Sequence, residues 1–186
     1  GEDLAAAVPG LSETAPLEFV QFSNIASPAM APEIMWRLHL SIRQLLAREG
    51  VAGVIVTHGT DTLEEASFFL DLLHAGPKPV VTTAAMRGAG EVSPDGPMNI
   101  LCAVRTAASD EARGLGVLVC MNETLHAPAD VMKTHSANPD TFQSPWWGPV
   151  GYVDSDRIVI RPSPQRPAPL APDSLTARVA IIKAMT

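Results

Sequence analysis

The stretch that decides the fold is Val51-Ala52-Gly53-Val54-Ile55-Val56-Thr57-His58-Gly59-Thr60-Asp61-Thr62-Leu63-Glu64-Glu65. Residues 51–56 are apolar or glycine and show no polar alternation, which is typical of a strand buried on both faces of a parallel sheet. The same pattern occurs at residues 79–82 and 115–119. We therefore expect three parallel strands at the centre of the fold.

Apolar stripes with helical spacing lie before and between these strands. One stripe begins at Pro32, a second covers residues 63–73, and a third begins near Pro97, whose fixed φ suits the first turn of a helix. Near the end, two apolar runs flank Asp154-Ser155-Asp156, which predicts a β-hairpin. The alternation predicts an α/β fold: a doubly wound, mostly parallel sheet flanked by helices, with a β-hairpin near the end of the domain.

Prolines separate the end of the chain from the rest. Five prolines and no apolar periodicity occur between Arg161 and Asp173, so this segment is predicted to be an extended linker. We expect one α/β domain over residues 1–160, a Pro-rich linker over 161–174, and the first strand of a further domain over 175–186.

Composition narrows the class of ligand. The chain of 186 residues has 46% hydrophobic residues, enough for a sizeable core, and 13 Lys plus Arg against 20 Asp plus Glu give a net charge of -7. This balance argues against a nucleic acid or a membrane as a partner, so we expect a small-molecule ligand. Cys102 and Cys120 do not suggest a disulfide framework. We expect a cytoplasmic location, with the periplasm as the alternative if a signal peptide was removed.

Polar residues lie directly after the carboxyl end of the first strand. Open α/β sheets bind their ligands at this end of the strands. Thr62 and Glu65 have capping-box spacing, so we expect the Thr62 side chain to cap a helix and Glu65 to reach back to its backbone. The cap does not require Thr60 and Asp61, which lie where free amide groups face a ligand.

A threonine hydroxyl needs a base before it can act as a nucleophile, so a carboxylate and a lysine are suitable partners for Thr60. Lys133, just beyond the third strand, is the candidate lysine, although loop lysines are usually solvated. On these residues alone, a polar turn remains the simpler interpretation. His58, His126 and His135 lack metal-binding spacing, so we expect no metal site.

The run Thr57–Glu65 closely resembles the second signature of the bacterial-type L-asparaginases. Similar segments at residues 78–87, 116–127, 133–142 and 148–152 extend the resemblance over nearly the whole chain. The resemblance implies an amidohydrolase that converts L-asparagine to L-aspartate and ammonia through a threonine-based mechanism, with no metal or organic cofactor.

Site roles follow from the resemblance residue by residue. It implies that Thr60, Asp61 and Lys133 form a hydrogen-bonded catalytic set that activates a hydroxyl group or a water molecule. Asp61 would also hold the α-amino group of the substrate, and Ser27 would bind its α-carboxylate. The backbone around Ala85 would line the amide end of the substrate.

The sequence also departs from the family pattern. The family begins with a strand leading to a Thr-Gly-Gly-Thr-Ile segment that carries the acylated threonine, and the chain has no such segment. We therefore expect a domain incomplete at its start, a second domain absent beyond its first strand, and no activity from this chain alone. Pro28 stands where relatives carry a substrate-contacting glutamine, and Ala31 where they carry a threonine helix cap.

Several functional alternatives remain open. One is a non-catalytic domain that binds an amide or an amino acid, and others are a glutaminase or the amidase subunit of a tRNA-dependent amidotransferase. The family resemblance implies a homodimer or homotetramer with sites completed across subunits, for which Trp146 and Trp147 are reasonable interface residues.

Overall fold

The computed structural model describes residues 7–155, 157–161 and 166–180. Its helices are α1 (Leu11–Thr14), α2 (Pro32–Leu46), α3 (Leu63–Leu73) and α4 (Gly96–Ala108). Its strands are β1 (Val54–Thr57), β2 (Val80–Thr83), β3 (Val117–Met121), β4 (Thr124–His126), β5 (Met132–Lys133), β6 (Phe142–Gln143), β7 (Gly151–Asp154) and β8 (Arg157–Ile160). Short 3-10 turns cover Ser27–Ala29, Thr60–Thr62 and Pro139–Thr141.

Six of these strands form one mixed sheet in the order β1-β2-β3-β4-β7-β8. Strands β1, β2 and β3 pair in parallel, and the remaining neighbours pair antiparallel. Strand β7 therefore runs in the same direction as β1 to β3, and only β4 and β8 run in the opposite direction. The predicted α/β fold with a mostly parallel sheet is confirmed.

Helices cover both faces of the sheet, as a doubly wound fold requires. On one face, side chains of α2 and α3 pack on the sheet: Leu38, Ile42 and Leu70 against Val80 and Val117. On the other face, α4 packs on the alternate residues: Cys102, Ala103 and Ala107 against Val81 and Cys120. Because successive side chains of a strand point to opposite faces, the continuous apolar runs of β2 and β3 supply both cores.

Strand β1 differs from its expected environment. We predicted burial on both faces, yet Val54, Ile55 and Val56 are only half-buried, whereas every residue of β2 and β3 is buried. The prediction is wrong for β1 because this strand lies at the edge of the described sheet. Its second edge pairs with no strand among the described residues.

Two antiparallel hairpins complete the main sheet. The predicted hairpin near the end of the domain is confirmed: β7 pairs with β8 from Gly151↔Ile160 to Asp154↔Arg157. The hairpin of β3 and β4 was not predicted. It turns at Asn122 and Glu123, which both have positive φ angles of 49 and 59°, as a tight hairpin turn requires.

The described part of the predicted linker lies along the end of α3. Arg166 forms a 2.6 Å ion pair with Asp71, and the Leu170 N–H donates to the Leu72 carbonyl at 2.7 Å. Residues 174–180 are exposed and are assigned no strand, and residues 181–186 lie outside the described part. The division at 160 and 174 stays a prediction. None of the helices in the described ranges is long and apolar enough to cross a bilayer.

Candidate active site

The candidate site lies where β1 ends and α3 begins. The His58 N–H donates to the Thr83 carbonyl at 2.9 Å, which continues the β1–β2 pairing one residue beyond β1. Gly59 stays extended, at φ -82° and ψ 153°, and the chain then turns through Thr60–Thr62 into α3. This route brings Thr60 and Asp61 to the carboxyl edge of the sheet, as the sequence predicted.

Lys133 joins the two residues on this edge. Its Nζ donates to Thr60 Oγ1 at 2.9 Å and to Asp61 Oδ1 at 2.8 Å. The lysine side chain is 19% exposed, whereas the Asp61 side chain is 58% exposed. The structure therefore brings together the three side chains proposed for catalysis. The lysine amine is mostly buried, and the carboxylate is exposed to solvent, where a ligand could reach it.

A small hairpin carries Lys133 to this position. Strands β5 and β6 pair as a separate two-stranded sheet, with Lys133 opposite Phe142. Beside them, Val131 and Phe142 are buried in an apolar cluster with Leu63 and Met121. The sequence indicated a loop here, because a strand of two residues has no periodicity to detect.

Ser27 lies directly beside this set. It is only 7% exposed, and its Oγ accepts a 3.3 Å hydrogen bond from the Asp61 N–H. The Ser27 O–H donates to no acceptor among the described residues, so it is free to donate to a carboxylate. A Cβ on Gly59 would lie 2.5 Å from Ser27 Oγ, so glycine is needed here for the close approach of the two segments.

The predicted capping box is wrong. The Thr62 side chain makes no cap bond, and its Oγ1 instead donates to the Ser27 carbonyl at 2.8 Å. Glu65 is exposed. The preceding residue, Glu64, turns inward and accepts a hydrogen bond from the Lys133 N–H. The 3-10 turn causes this difference, because it directs Thr62 toward Ser27 instead of along the helix.

Ala85, the fourth residue proposed for substrate contact, follows β2 and is exposed. Because β1 and β2 are parallel neighbours, it lies at the same edge of the sheet as Thr60. The Asp95 carboxylate holds the turn beyond it, accepting from the N–H groups of Met86 and Arg87 at 3.0 and 2.8 Å. Asp95 was not predicted from the sequence, because no strand or helix pattern marks a carboxylate that holds a turn nine residues away.

Asn99 anchors the same turn from within the core. It is 1% exposed, and its Nδ2 donates to the Ala84 carbonyl and to Asp95, each at 3.0 Å. Its Oδ1 accepts from the Asn122 N–H at 2.9 Å. The only signal for Asn99 in the sequence is that a polar side chain lies one turn into the apolar stripe of α4. The pattern of burial can mark such a residue, but it cannot show which groups the residue bonds.

The histidines and tryptophans lie in contrasting environments. His126 is buried and hydrogen-bonded to Ser144 at 2.9 Å, and burial lowers its pKa to about 4, so it is a neutral core residue. Within residues 7–155, 157–161 and 166–180, no three His, Cys, Asp or Glu side chains gather as a metal site.

Trp146 and Trp147 are 83% and 72% exposed, so neither is a packing residue.

The site formed by Thr60, Asp61 and Lys133 lies on an open surface at the edge of the sheet. Two open surface grooves, of about 640 and 430 Å³, are lined by residues such as Tyr152 and Arg105, and neither includes Thr60, Asp61 or Lys133. The edge of β1 that pairs with no strand among the described residues lies beside this surface. At the carboxyl edge of the sheet, hydrogen bonds thus join a threonine, a carboxylate and a lysine, three side chains able to exchange protons.

Comparison with known proteins identifies the family. The sequence model of the family described as asparaginase, N-terminal, matches residues 1–166. The chain is 39% identical to L-asparaginase 2-3 of Saccharomyces cerevisiae over 165 residues, 89% of this chain and 46% of that protein. It is 40% identical to the glutaminase-asparaginase of Pseudomonas fluorescens biotype A over 152 residues, 82% of this chain and 42% of the relative. The chain belongs to the asparaginase family.

A solved structure agrees with this assignment. The crystal structure of the probable cytoplasmic L-asparaginase from Campylobacter jejuni superposes with a TM-score of 0.84 at 40% identity. The match covers 88% of this chain and 50% of that one. The chain thus spans about half the length of the relatives it matches.

Proposed function

We propose that the protein to which this chain belongs hydrolyses L-asparagine to L-aspartate and ammonia. The observation that carries the proposal is the pair of hydrogen bonds from Lys133 Nζ to Thr60 Oγ1 and Asp61 Oδ1. A threonine oxygen in contact with an amine and a carboxylate is arranged for proton transfer during acyl chemistry. Membership of the asparaginase family supports the choice of an amide substrate.

The proposed mechanism has two steps. In the first step, a nucleophilic threonine attacks the amide carbon; the family resemblance assigns it to a Thr-Gly-Gly-Thr-Ile segment, which the chain's sequence does not contain. The C–N bond then breaks, the NH2 group takes up the threonine proton and leaves as ammonia, and an acyl-enzyme ester remains. Water then attacks the ester and releases aspartate. In the second step, Thr60 Oγ1 and Lys133 Nζ relay the proton of the attacking water to the departing threonine oxygen, and Asp61 stabilises the positive charge that Lys133 carries.

The edge of β1 offers a place for the segment that carries this threonine. Val54 and His58 direct their N–H groups to β2, so alternation along a parallel strand directs those of Ile55 and Thr57 to the other edge. That edge pairs with no strand among the described residues. A further strand added here would bring its carboxyl end beside Thr60. We therefore infer that the 186-residue chain is inactive by itself.

Substrate contacts in the proposal use groups that remain available. The half-exposed Asp61 carboxylate binds the α-amino group, and the Ser27 O–H donates to the α-carboxylate. The backbone at Ala85 lines the amide end. Pro28 cannot supply the side-chain amide expected from relatives, and one relative is named a glutaminase-asparaginase, so glutamine is the second substrate to test.

The direct test compares the full-length gene product with the 186-residue chain. We expect ammonia release from L-asparagine only from the full-length protein, and a loss of about 10²-fold or more on Thr60→Val, which removes the hydroxyl but keeps the shape. Thr124→Val is the matched control, because the Thr124 hydroxyl, on β4, donates to the Asn122 carbonyl and bonds to no other group among the described residues. Release by the 186-residue chain would refute its inactivity, and full activity of Thr60→Val would refute the role of Thr60.

The same assay separates the alternative of a binding domain. A full-length protein that binds aspartate but releases no ammonia from asparagine or glutamine would favour binding without catalysis. Rapid turnover would exclude it.

Self-association is also part of the proposal. The exposed pair Trp146 and Trp147 is suited to an interface, since aromatic residues are enriched there. We expect the full-length protein to sediment as a dimer or tetramer, and Trp146→Ser with Trp147→Ser to shift it toward the monomer. A monomeric mass of the unaltered protein at high concentration would count against association.

A further inference from the structure

Lys133 lies on a hairpin that is not part of the main sheet. Among the described strands, β5 and β6 pair only with each other, whereas β1, β2 and β3 belong to the six-stranded sheet. Thr60 and Asp61, the partners of Lys133, follow β1. The position of the amine relative to its partners therefore depends on the contacts that join the hairpin to the rest of the domain.

Two kinds of contact make this junction. Val131 and Phe142 pack in the apolar cluster with Leu63, which holds the hairpin without fixing its register, because apolar contacts are non-directional. Hydrogen bonds make the directional contacts: Asn122 Nδ2 donates to Asp140 Oδ1 in the hairpin loop at 3.3 Å, and at Lys133 itself the Glu64 Oε1 accepts from the main-chain N–H. This bond fixes the main chain of the residue whose side chain reaches the site.

Glu64 is well placed for this contact. It lies in the first turn of α3, where the helix dipole favours a negative charge. It follows Asp61 by three residues, so one short segment supplies both the partner of Lys133 Nζ and the acceptor for Lys133 N–H. A hydrogen bond to an ionised carboxylate is about twice as strong as a bond between neutral groups.

We propose that Glu64 is a positioning residue of this site, which holds the Lys133 backbone so that Nζ reaches Thr60 Oγ1 and Asp61 Oδ1 together. The catalytic part of this inference rests on the proposed function. Glu64 itself touches neither the substrate nor the reacting atoms. Without it, the hairpin keeps its apolar anchor while the lysine moves relative to its partners.

The test uses three variants. Glu64→Ala removes the acceptor, Glu64→Gln keeps an acceptor oxygen without the charge, and Glu65→Ala is the matched control, since Glu65 is exposed and makes no hydrogen bond among the described residues. Two readouts are needed. One is ammonia release from L-asparagine by the full-length protein, and the other is amide hydrogen exchange at Lys133 in the 186-residue chain.

We expect Glu64→Ala to lower kcat by about 10²-fold, the cost of misplacing a catalytic group by about 1 Å. KM should change little, because the substrate contacts of Asp61 and Ser27 are retained. Glu64→Gln should recover about tenfold of that loss, as it restores a neutral acceptor. Exchange at Lys133 should be about tenfold faster in Glu64→Ala than in Glu65→Ala, while the amide of Val119 in the core exchanges equally slowly in both.

The two readouts separate the two proposals. Equal exchange at Lys133 in Glu64→Ala and Glu65→Ala would overturn the positioning role, whatever the activity. An equal kcat in these two variants would overturn it as well. If the unaltered full-length protein releases no ammonia, the proposed function fails, and hydrogen exchange alone still decides whether Glu64 holds Lys133. Faster exchange at Val119 in both Glu64 variants would show general unfolding and also contradict a positioning role.

Discussion

Gly59 is the position where a single added carbon tests the geometry of the site. Its φ of -82° suits alanine, so Gly59→Ala causes no backbone strain. The added Cβ would lie 2.5 Å from Ser27 Oγ and 2.7 Å from Ser27 Cβ, and Ser27 is 7% exposed and has little room to move. Overpacking of this kind costs about 1–3 kcal/mol. We expect a loss of about 2 kcal/mol in the free energy of unfolding.

Urea unfolding of the 186-residue chain measures this loss. Gly90→Ala is the matched control, because a Cβ there meets nothing within 4 Å, and we expect it to be neutral or stabilising by up to about 1 kcal/mol. Ser27→Gly removes the opposing atoms, so in that background Gly59→Ala should cost less than about 0.5 kcal/mol. Equal losses with and without the Ser27 side chain would refute the steric explanation.

Three further substitutions test other parts of the structure. Burial lowers the His126 pKa from 6.5 to about 4, so the unfolded chain binds the proton more readily than the folded chain. We therefore expect the free energy of unfolding to fall by about 3 kcal/mol as the pH drops from 6.5 to about 4. Urea titrations at each pH should show that His126→Asn removes this fall. Ala31 begins α2 with no side-chain cap, and Ala31→Thr should raise the free energy of unfolding by about 1 kcal/mol; an unchanged urea midpoint would contradict the assigned helix start. Asn99→Leu should cost about 3 kcal/mol, because the Ala84 carbonyl and the Asn122 N–H lose their buried partner; a loss below about 1 kcal/mol would show that these groups find other partners.

Hydrophobic pattern alone predicted the centre of the fold. The runs that became β2 and β3 and the stripes of α2, α3 and α4 are long enough for periodicity to define them. The burial of β1 could not be predicted in the same way, because it depends on which strand lies on its other side. The same apolar run is half-buried at an edge and fully buried in the centre of a sheet.

The site was predicted in part. Thr60 and Asp61 stand out because they follow a strand and are not needed for a helix cap. Lys133 was the candidate lysine from its place beyond the third strand, and the family resemblance added Ser27. The exchange of roles between Glu64 and Glu65 was missed. Capping-box spacing selects Glu65, whereas the 3-10 turn and the position of a hairpin 69 residues away select Glu64. Contacts of that range depend on tertiary packing, which local spacing does not encode.

The central claim is that Thr60, Asp61 and Lys133 act as one catalytic set. The most direct measurement is ammonia release from L-asparagine by the full-length protein carrying Asp61→Asn, together with its urea unfolding. The Asp61 side chain is 58% exposed, so loss of its ion pair should cost less than about 1 kcal/mol of stability. Turnover should fall by about 10²-fold or more, since the carboxylate that stabilises Lys133 and binds the substrate is lost. A folded Asp61→Asn protein with unchanged turnover would contradict the claim.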